Sequence, residues 1–426
     1  MSVKQRRKAG PFITGVDVGT SKICVVVAEM TGDGIDILSI TSSPSAGLRK
    51  GVVVNVEAAT AAIRDAMVAA QEQSGVSTRE AVVSISGSHI QATGGTASIA
   101  LSGRVVSQDD IDKVIDAAGN AHVVAGREII HVLPTDFIID GGRGIKDPLG
   151  IPGSRLEAKV NIVTASSEPL QRLLVSCEKA GLQVADLVLQ SIASAEASLS
   201  AKDREMGTAL IDIGAGTTDI ALFKDGWLQH TKVFGIGGNH FTNDLSVGLR
   251  VSFSEAERVK KQFGAVAVAD FDEAIDIIGL DGPGDMVRKV SKKLIVDIML
   301  LRAEELLVEL VKKEIVRLEE LDGVTGAVFT GGCVLVPSFE RLAESLLSMP
   351  VRIGYPDLAP KNDTPSTDSM PFVTGVKEQF NSPEYAAGIG LVLYGAGYAA
   401  ERTGALSDDL FTKMTDFLKN IIGMKK

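Results

Sequence analysis

The chain is short of cysteine, histidine, aromatic rings and positive charge, and each shortage removes a class of protein. Its three cysteines in 426 residues, Cys24, Cys177 and Cys333, are odd in number, far apart and free of any Cys-x-x-Cys spacing. That excludes a disulfide framework and points to buried, reduced thiols of a cytosolic protein. His89, His122, His131, His230 and His240 lack the mutual spacing of metal ligands, so core or solvated roles are expected of them. A net charge of −11 and a pI near 5.1 argue against DNA or RNA as a partner, since nucleic-acid affinity rests on a basic field. Aromatic residues make up 4% against 45% hydrophobic residues, so the cores must be built from Val, Ile, Leu and Ala, which suits an α/β protein. The apolar run after the basic stretch 1–10 is broken by Asp17, Gly19, Ser21 and Lys22, and no stretch of ~20 apolar residues follows, so neither a signal peptide nor a transmembrane span is expected. At 426 residues the chain is too long for one core, and two to four subdomains are expected.

What is present is organised around residues 210–223, Leu-Ile-Asp-Ile-Gly-Ala-Gly-Thr-Thr-Asp-Ile-Ala-Leu-Phe. Two short apolar runs flank a small polar core, which predicts two antiparallel strands joined by a tight turn. Gly214 and Gly216 would let the turn take left-handed dihedrals and converge its backbone N–H groups on an anion, a phosphate cradle to which Thr217 and Thr218 add hydroxyls. Asp212 would repel phosphate oxygens, so it more plausibly orients a hydrated Mg²⁺, which takes few protein ligands and keeps several waters. Residues 16–29, Val-Asp-Val-Gly-Thr-Ser-Lys-Ile-Cys-Val-Val-Val-Ala-Glu, repeat the same order around Asp17 and Gly19, one domain length away. Two related halves, each offering a hairpin to one nucleotide between them, are the expectation. A third piece, residues 327–334, runs a strand into Gly331-Gly332, where backbone could lie flat against a base and ribose.

These three pieces, in this order, resemble the actin, Hsp70 and sugar-kinase superfamily of ATP-binding proteins, and the rest of the chain resembles the FtsA family of bacterial cell-division proteins. The resemblance implies an actin-like α/β fold of two duplicated nucleotide-binding halves, with an inserted SHS2-like subdomain and a C-terminal amphipathic helix. It implies ATP and Mg²⁺ as cofactors. Gly19, Thr20, Ser21 and Lys22 would contact the β- and γ-phosphates, Gly214, Gly216 and Thr217 the other side, and Gly331 and Gly332 the adenosine. Asp17 and Asp212 would order the waters of Mg²⁺, and Asp212, with Gln190, would help to place an attacking water in a hydrolysis that is slow or absent.

Along the chain, a helix is predicted over 57–74, capped by Asn55 and Gly75, and strands alternate with a helix from Ser107 over 81–164. This module interrupts the first half and reads as an insertion. The expected division is 1–82 and 166–198 for subdomain 1A, 83–165 for the inserted 1C, 199–238 and 324–397 for 2A, and 239–323 for 2B, then a linker at 398–409. Helices at 190–199 and 385–394 are rich in small residues; ordinary close packing explains both, and the superfamily uses such a pair as the hinge between its halves. Residues 233–238, ending at Gly238, resemble the family's loop that opens 2B. In the helix 254–262, Glu257 and Lys260, beside Lys261, share a face able to grip ribose and base, or form a solvated pair. A long helix is predicted over 291–321, with Leu294, Ile298, Leu301, Leu310, Ile315 and Leu318 as its apolar residues. The Pro-, Ser- and Thr-rich stretch 355–379 reads as an exposed loop.

The tail carries Leu410, Phe411, Met414, Phe417, Leu418, Ile421 and Ile422 at helical spacing, one continuous apolar face, with Lys413 and Lys419 among its basic residues. It could dock on its own protein, form a coiled coil or lie in a membrane surface, and its lysines and bulky apolar face favour anionic lipid. By resemblance the chain forms filaments as a peripheral protein on the inner face of the cytoplasmic membrane at the division septum. There it would bind the FtsZ C-terminal tail through 2B and later division proteins through 1C. Its rivals are an actin-like type IV pilus assembly protein and a metabolite kinase of the same superfamily.

Overall fold

A computed structural model describes residues 11–31, 34–120, 124–267, 273–279, 286–319, 323–356, 372–374 and 380–403. The first half opens with β1 (Phe12–Val18), β2 (Lys22–Thr31) and β3 (Gly34–Pro44), then a short β4–β5 ladder (Leu48–Arg49, Val52–Val53), α1 (Val56–Ser74) and β6 (Glu80–Ile85). A second module follows: β7 (Ile90–Ala100), α2 (Gln108–Asn120), β8 (Arg127–Ile139), β9 (Gly142–Ile145) and β10 (Arg155–Ser166). The chain returns through α3 (Ser167–Lys179), β11 (Gln183–Leu189) and α4 (Gln190–Ser198). The second half holds α5 (Ala201–Met206), β12 (Thr208–Ile213), β13 (Thr218–Lys224) and β14 (Trp227–Phe234). Next come α6 (Gly238–Leu249), α7 (Phe253–Phe263), β15 (Ala274–Gly279), β16 (Met286–Ser291), α8 (Lys292–Glu305) and α9 (Lys313–Glu319). β17 (Gly326–Thr330), α10 (Phe339–Leu347) and β18 (Val351–Ile353) complete it, followed by β19 (Phe372–Thr374), which joins the first sheet, and α11 (Ala386–Thr403).

Two sheets share one strand plan. The first runs β11-β6-β1-β2-β3 with β19 added at its edge, and the second runs β18-β17-β12-β13-β14. In both, an antiparallel hairpin takes a parallel neighbour on one side, β6 on β1 and β17 on β12. The central strands are covered on both faces and are mostly aliphatic; every residue of β12 is buried, Thr208 and Asp212 included. The module between β6 and α3 is an antiparallel sheet, β7-β10-β8-β9, packed against α2 through Val114, Ile115, Leu156 and Ile162. It also leans on the second half, where Trp227 of β14 meets Phe137 edge to face at 6.3 Å.

The two halves are joined by crossing helices. α4 and α11 approach so closely that a Cβ on Gly390 would lie 1.7 Å from the carbonyl oxygen of Ala193. Of the small residues read from the sequence, Gly390 is thus required by backbone contact.

Three expectations change. The glycines of the two turns are not there for left-handed dihedrals, since Gly19, Gly214 and Gly216 are absent from the residues with positive φ. Gly216 and Gly19 are there for close approach, a Cβ on Gly216 meeting Thr20 Oγ1 of the opposite hairpin at 2.4 Å and one on Gly19 the Lys22 carbonyl at 2.7 Å, whereas one on Gly214 would meet nothing nearer than 3.6 Å. The helix expected over 291–321 is α8, a π-helical stretch at Leu306–Lys312, and α9. Its inward face is Ile295, Met299, Ala303, Leu306, Leu307 and Val311, while Leu294 and Leu301 face solvent. The stretch 355–379 also contributes the short strand β19, parallel to β3, to the first sheet. The tail, 410–426, lies outside the described residues.

Candidate functional site

The turns of the two hairpins are built alike. Gly19 N–H donates to the Lys22 carbonyl at 3.0 Å, and Gly214 N–H donates to the Thr217 carbonyl at 3.0 Å. The turns meet at Gly216 and Thr20, and a cavity of about 530 Å³ opens between them, within the range of ligand-binding clefts. Asp17, Gly19, Thr20, Ser21 and Lys22 line one wall, and Gln190, Asp212, Gly214, Gly216 and Thr217 the facing one. Gly238, Glu257, Lys260, Lys261, Gly331 and Gly332 line the far end. Thr218 lies elsewhere: it is fully buried and its hydroxyl donates to the Ile236 carbonyl at 2.8 Å.

The two aspartates at the strand ends are buried and individually supported. Ser84 Oγ, from the neighbouring β6, donates to Asp17 Oδ1 at 2.8 Å and accepts the Val18 amide. Asp212 Oδ2 accepts from Ser194 Oγ at 2.6 Å and from Gln190 Nε2 at 3.2 Å, both on α4. Burial pushes the Asp17 carboxyl up to about 6, against the Ser84 hydrogen bond and with the charge of Asp212 adding to it. Burial raises Asp212 as well, opposed by Ser194 and Gln190. A third carboxyl, Asp219, sits directly across from Asp212 in the β12–β13 ladder and is fully buried. Ser86 Oγ lies 2.8 and 2.9 Å from its two oxygens, and burial, then the charge of Asp212, pushes it up to about 8.

Two buried carboxyls, Asp17 and Asp212, line the same cavity and suit a cation there, and hard carboxylate oxygens suit Mg²⁺. Among the described residues no group of three His, Cys, Asp or Glu gathers closely enough to ligate a metal directly. Asp17 and Asp212 would therefore hold such an ion with water or phosphate completing its shell.

The cationic groups of the cavity are each engaged with a carboxylate. Lys22 Nζ is 2.8 Å from Glu384 and stands 4.2 Å over the ring of Tyr385. Glu257 pairs with Lys260 at 2.6 Å and Lys261 at 3.3 Å, and accepts from the Thr242 hydroxyl. The pair is therefore built into a network, Lys260 also donating to Thr242 Oγ1 and the Gly238 carbonyl. Gly331 has φ 88°, and a Cβ there would strike Asp212 Oδ1 at 2.4 Å, so only glycine closes this end. Cys333 also lines the cavity, and burial pushes its thiol up to about 11. It and the other two cysteines are buried and unlinked.

Sequence reading missed Ser84, Ser86, Ser194, Asp219 and Glu384. Asp219 was accessible, because a tight turn after Asp212 fixes which residue pairs with it. The serines and Glu384 come from distant segments and carried no local signal.

The family model for "Cell division protein FtsA" matches residues 209–390, and that for the "SHS2 domain inserted in FTSA" matches residues 87–164, the module between the halves. The cell-division protein FtsA of Pseudomonas aeruginosa is 36% identical over 391 residues, covering 91% of this chain and 90% of its own length. The chain belongs to the FtsA family. FtsA of Bacillus subtilis is 34% identical, covering 89% of this chain and 82% of its own length, and FtsA of Escherichia coli K12 is 30% identical, covering 90% of each. Among solved structures, a chain of a PilM–PilN type IV pilus biogenesis complex matches with a TM-score of 0.63 at 17% identity, over 90% of this chain and 98% of that one. MreB5 of Spiroplasma citri bound to ADP matches with a TM-score of 0.52 at 13% identity, over 92% and 98%. At these identities the likeness is one of fold, and it makes this FtsA-family chain actin-like. Membership of the FtsA family, rather than this shared fold, sets aside a metabolite kinase.

Proposed function

We propose that this chain binds ATP with Mg²⁺ between its duplicated hairpins, polymerises on the cytoplasmic membrane at the division septum and tethers the FtsZ ring there. The observation that carries the reading is the meeting of two like turns at Gly216 and Thr20, with Asp17 and Asp212 supported behind them. The MreB5 structures, bound to ADP and to AMPPNP, make nucleotide the natural occupant of such a cleft. Gly19, Thr20, Ser21 and Lys22 hold the phosphates from one side and Gly214, Gly216 and Thr217 from the other. Gly331 and Gly332 take the adenosine, with Glu257, Lys260 and Lys261 at the ribose. Bound Mg²⁺ neutralises phosphate charge. Asp212 and Gln190, already hydrogen-bonded, hold a water-positioning geometry for a hydrolysis that is slow or absent.

Segment 239–323 takes the FtsZ C-terminal tail, and 83–165 serves self-association and later division proteins. The tail 410–426 reaches anionic lipid across the linker 398–409. Half-burying its seven large apolar side chains supplies about 5 to 8 kcal/mol before the cost of ordering the helix, so one tail binds reversibly. A filament presenting many gains ~100-fold or more by avidity. Calorimetry with Mg²⁺-ATP tests the nucleotide reading, and no uptake by the pure chain overturns it. Liposome co-sedimentation with and without 410–426 tests the tether, and undiminished binding by the truncated chain overturns that part. Capture by an FtsZ C-terminal peptide should survive loss of the tail and fail after lesions in 240–320.

A further inference from the structure

Of the cavity's carboxylate–lysine pairs, one is locked and one is loose. Glu257 is tied to two lysines and to Thr242, so its charge is committed to the wall. Among the described residues Glu384 makes its ion pair with Lys22 alone, and its side chain is 34% exposed, so it can turn to water at little cost once its partner is taken. The backbone beneath it is fixed: the Pro383 carbonyl accepts from Gly331 N–H and Thr330 Oγ1, each at 3.1 Å. Lys22 is fixed as well, because the Tyr385 ring holds its ammonium by a contact that does not depend on Glu384. The result is a rigid cation in the phosphate wall with a displaceable anion already on it.

We propose that Glu384 is an internal competitor for the phosphate-binding lysine, a residue that sets how tightly this cleft holds phosphorylated nucleotides. This rests on the nucleotide reading above and deepens it. With Glu384 already on Lys22, an arriving phosphate oxygen must either displace the carboxylate or share the ammonium with a second anion. Either way, part of the phosphate's gain is offset, by loss of the 2.8 Å pair or by repulsion from the carboxylate that keeps it. The penalty falls on ligands whose phosphates reach Lys22 and spares a nucleoside that stops at Gly331-Gly332. Glu384 thereby lowers affinity for ATP and speeds its release without contacting the base.

The test is calorimetric titration of the full chain with Mg²⁺-ATP and with adenosine, using the wild type, Glu384→Gln, Lys22→Met and the double variant. Glu384→Gln keeps the shape and removes the charge, and should tighten ATP binding threefold to tenfold while leaving adenosine unchanged. Lys22→Met should weaken ATP binding about tenfold and abolish the gain from Glu384→Gln. Unchanged or weaker ATP binding by Glu384→Gln overturns the proposal, as does a gain that persists undiminished beside Lys22→Met. ATP uptake by the wild type separates that failure from failure of the nucleotide reading itself, which a wild type taking up no ATP would overturn together with the proposal.

Discussion

The two hairpins have the same strand plan and the same turn hydrogen bond, yet their buried charge is arranged differently. In the first, Asp17 faces Cys24 across the ladder; in the second, Asp212 faces Asp219. Asp17 takes its hydroxyl partner from the adjacent strand, at Ser84, whereas the equivalent Thr330 turns away to the Gly354 and Pro383 carbonyls. Asp212 draws its partners from α4 instead. The first half thus presents one carboxyl and a lysine, and the second two carboxyls and the crossing helix. A duplicated backbone has become an asymmetric site, with one carboxyl and a lysine on one side and two carboxyls beside Gln190 and Ser194 on the other.

That asymmetry can be broken in steps. The largest effect is expected from removing the paired aspartates. Asp17→Ala and Asp212→Ala should each weaken Mg²⁺-ATP binding by roughly 100-fold, about 2.7 kcal/mol, measured by titration with and without Mg²⁺. Only Asp212→Ala should also free Gln190, detectable as a change in the Gln190 side-chain amide signals. Next, Gly19→Ala should destabilise the fold by about 2 kcal/mol, because its Cβ would sit 2.7 Å from the Lys22 carbonyl. Gly214→Ala, whose nearest atom would be 3.6 Å away, should cost under about 0.5 kcal/mol in denaturant titrations.

The unequal carboxyl count predicts a pH effect. Asp219 has a folded pKa near 8, above its ordinary 3.8, so between those values the folded state binds more protons than the unfolded one. Stability due to this group is present below about pH 4 and is lost as pH rises towards 8, by up to about 1.4 kcal/mol per pH unit. Asp219→Asn should flatten that slope in the chain without Mg²⁺. Ser84→Ala, which strips Asp17 of its hydrogen bond, should cost about 1 kcal/mol in denaturant titrations. Thr330→Val, the matching change in the second half, should leave Asp212 untouched.

Much of the fold was legible because it is written in local pattern. The alternation of apolar runs with Gly, Thr and Asp located both hairpins; Asn55 and Gly75 cap α1 as expected, Asn55 Oδ1 accepting from Ala58 N–H and Gly75 adopting φ 72°. The repetition of Asp-x-Gly-small gave the duplication. Amphipathic phase failed in α8, where Leu294 and Leu301 lie outward, because a helix whose apolar residues surround it does not say which face meets a neighbour.

The sequence by itself determined the duplicated strand-turn-strand units, the glycines that let them close and the family, all properties of residues near one another in the chain. Only the tertiary structure decided why those glycines are needed, which serines support which aspartate, and that Lys22 and Glu384 meet across 362 positions. Contacts between separate elements depend on how sheets and helices stack. No periodicity in the chain encodes that distance.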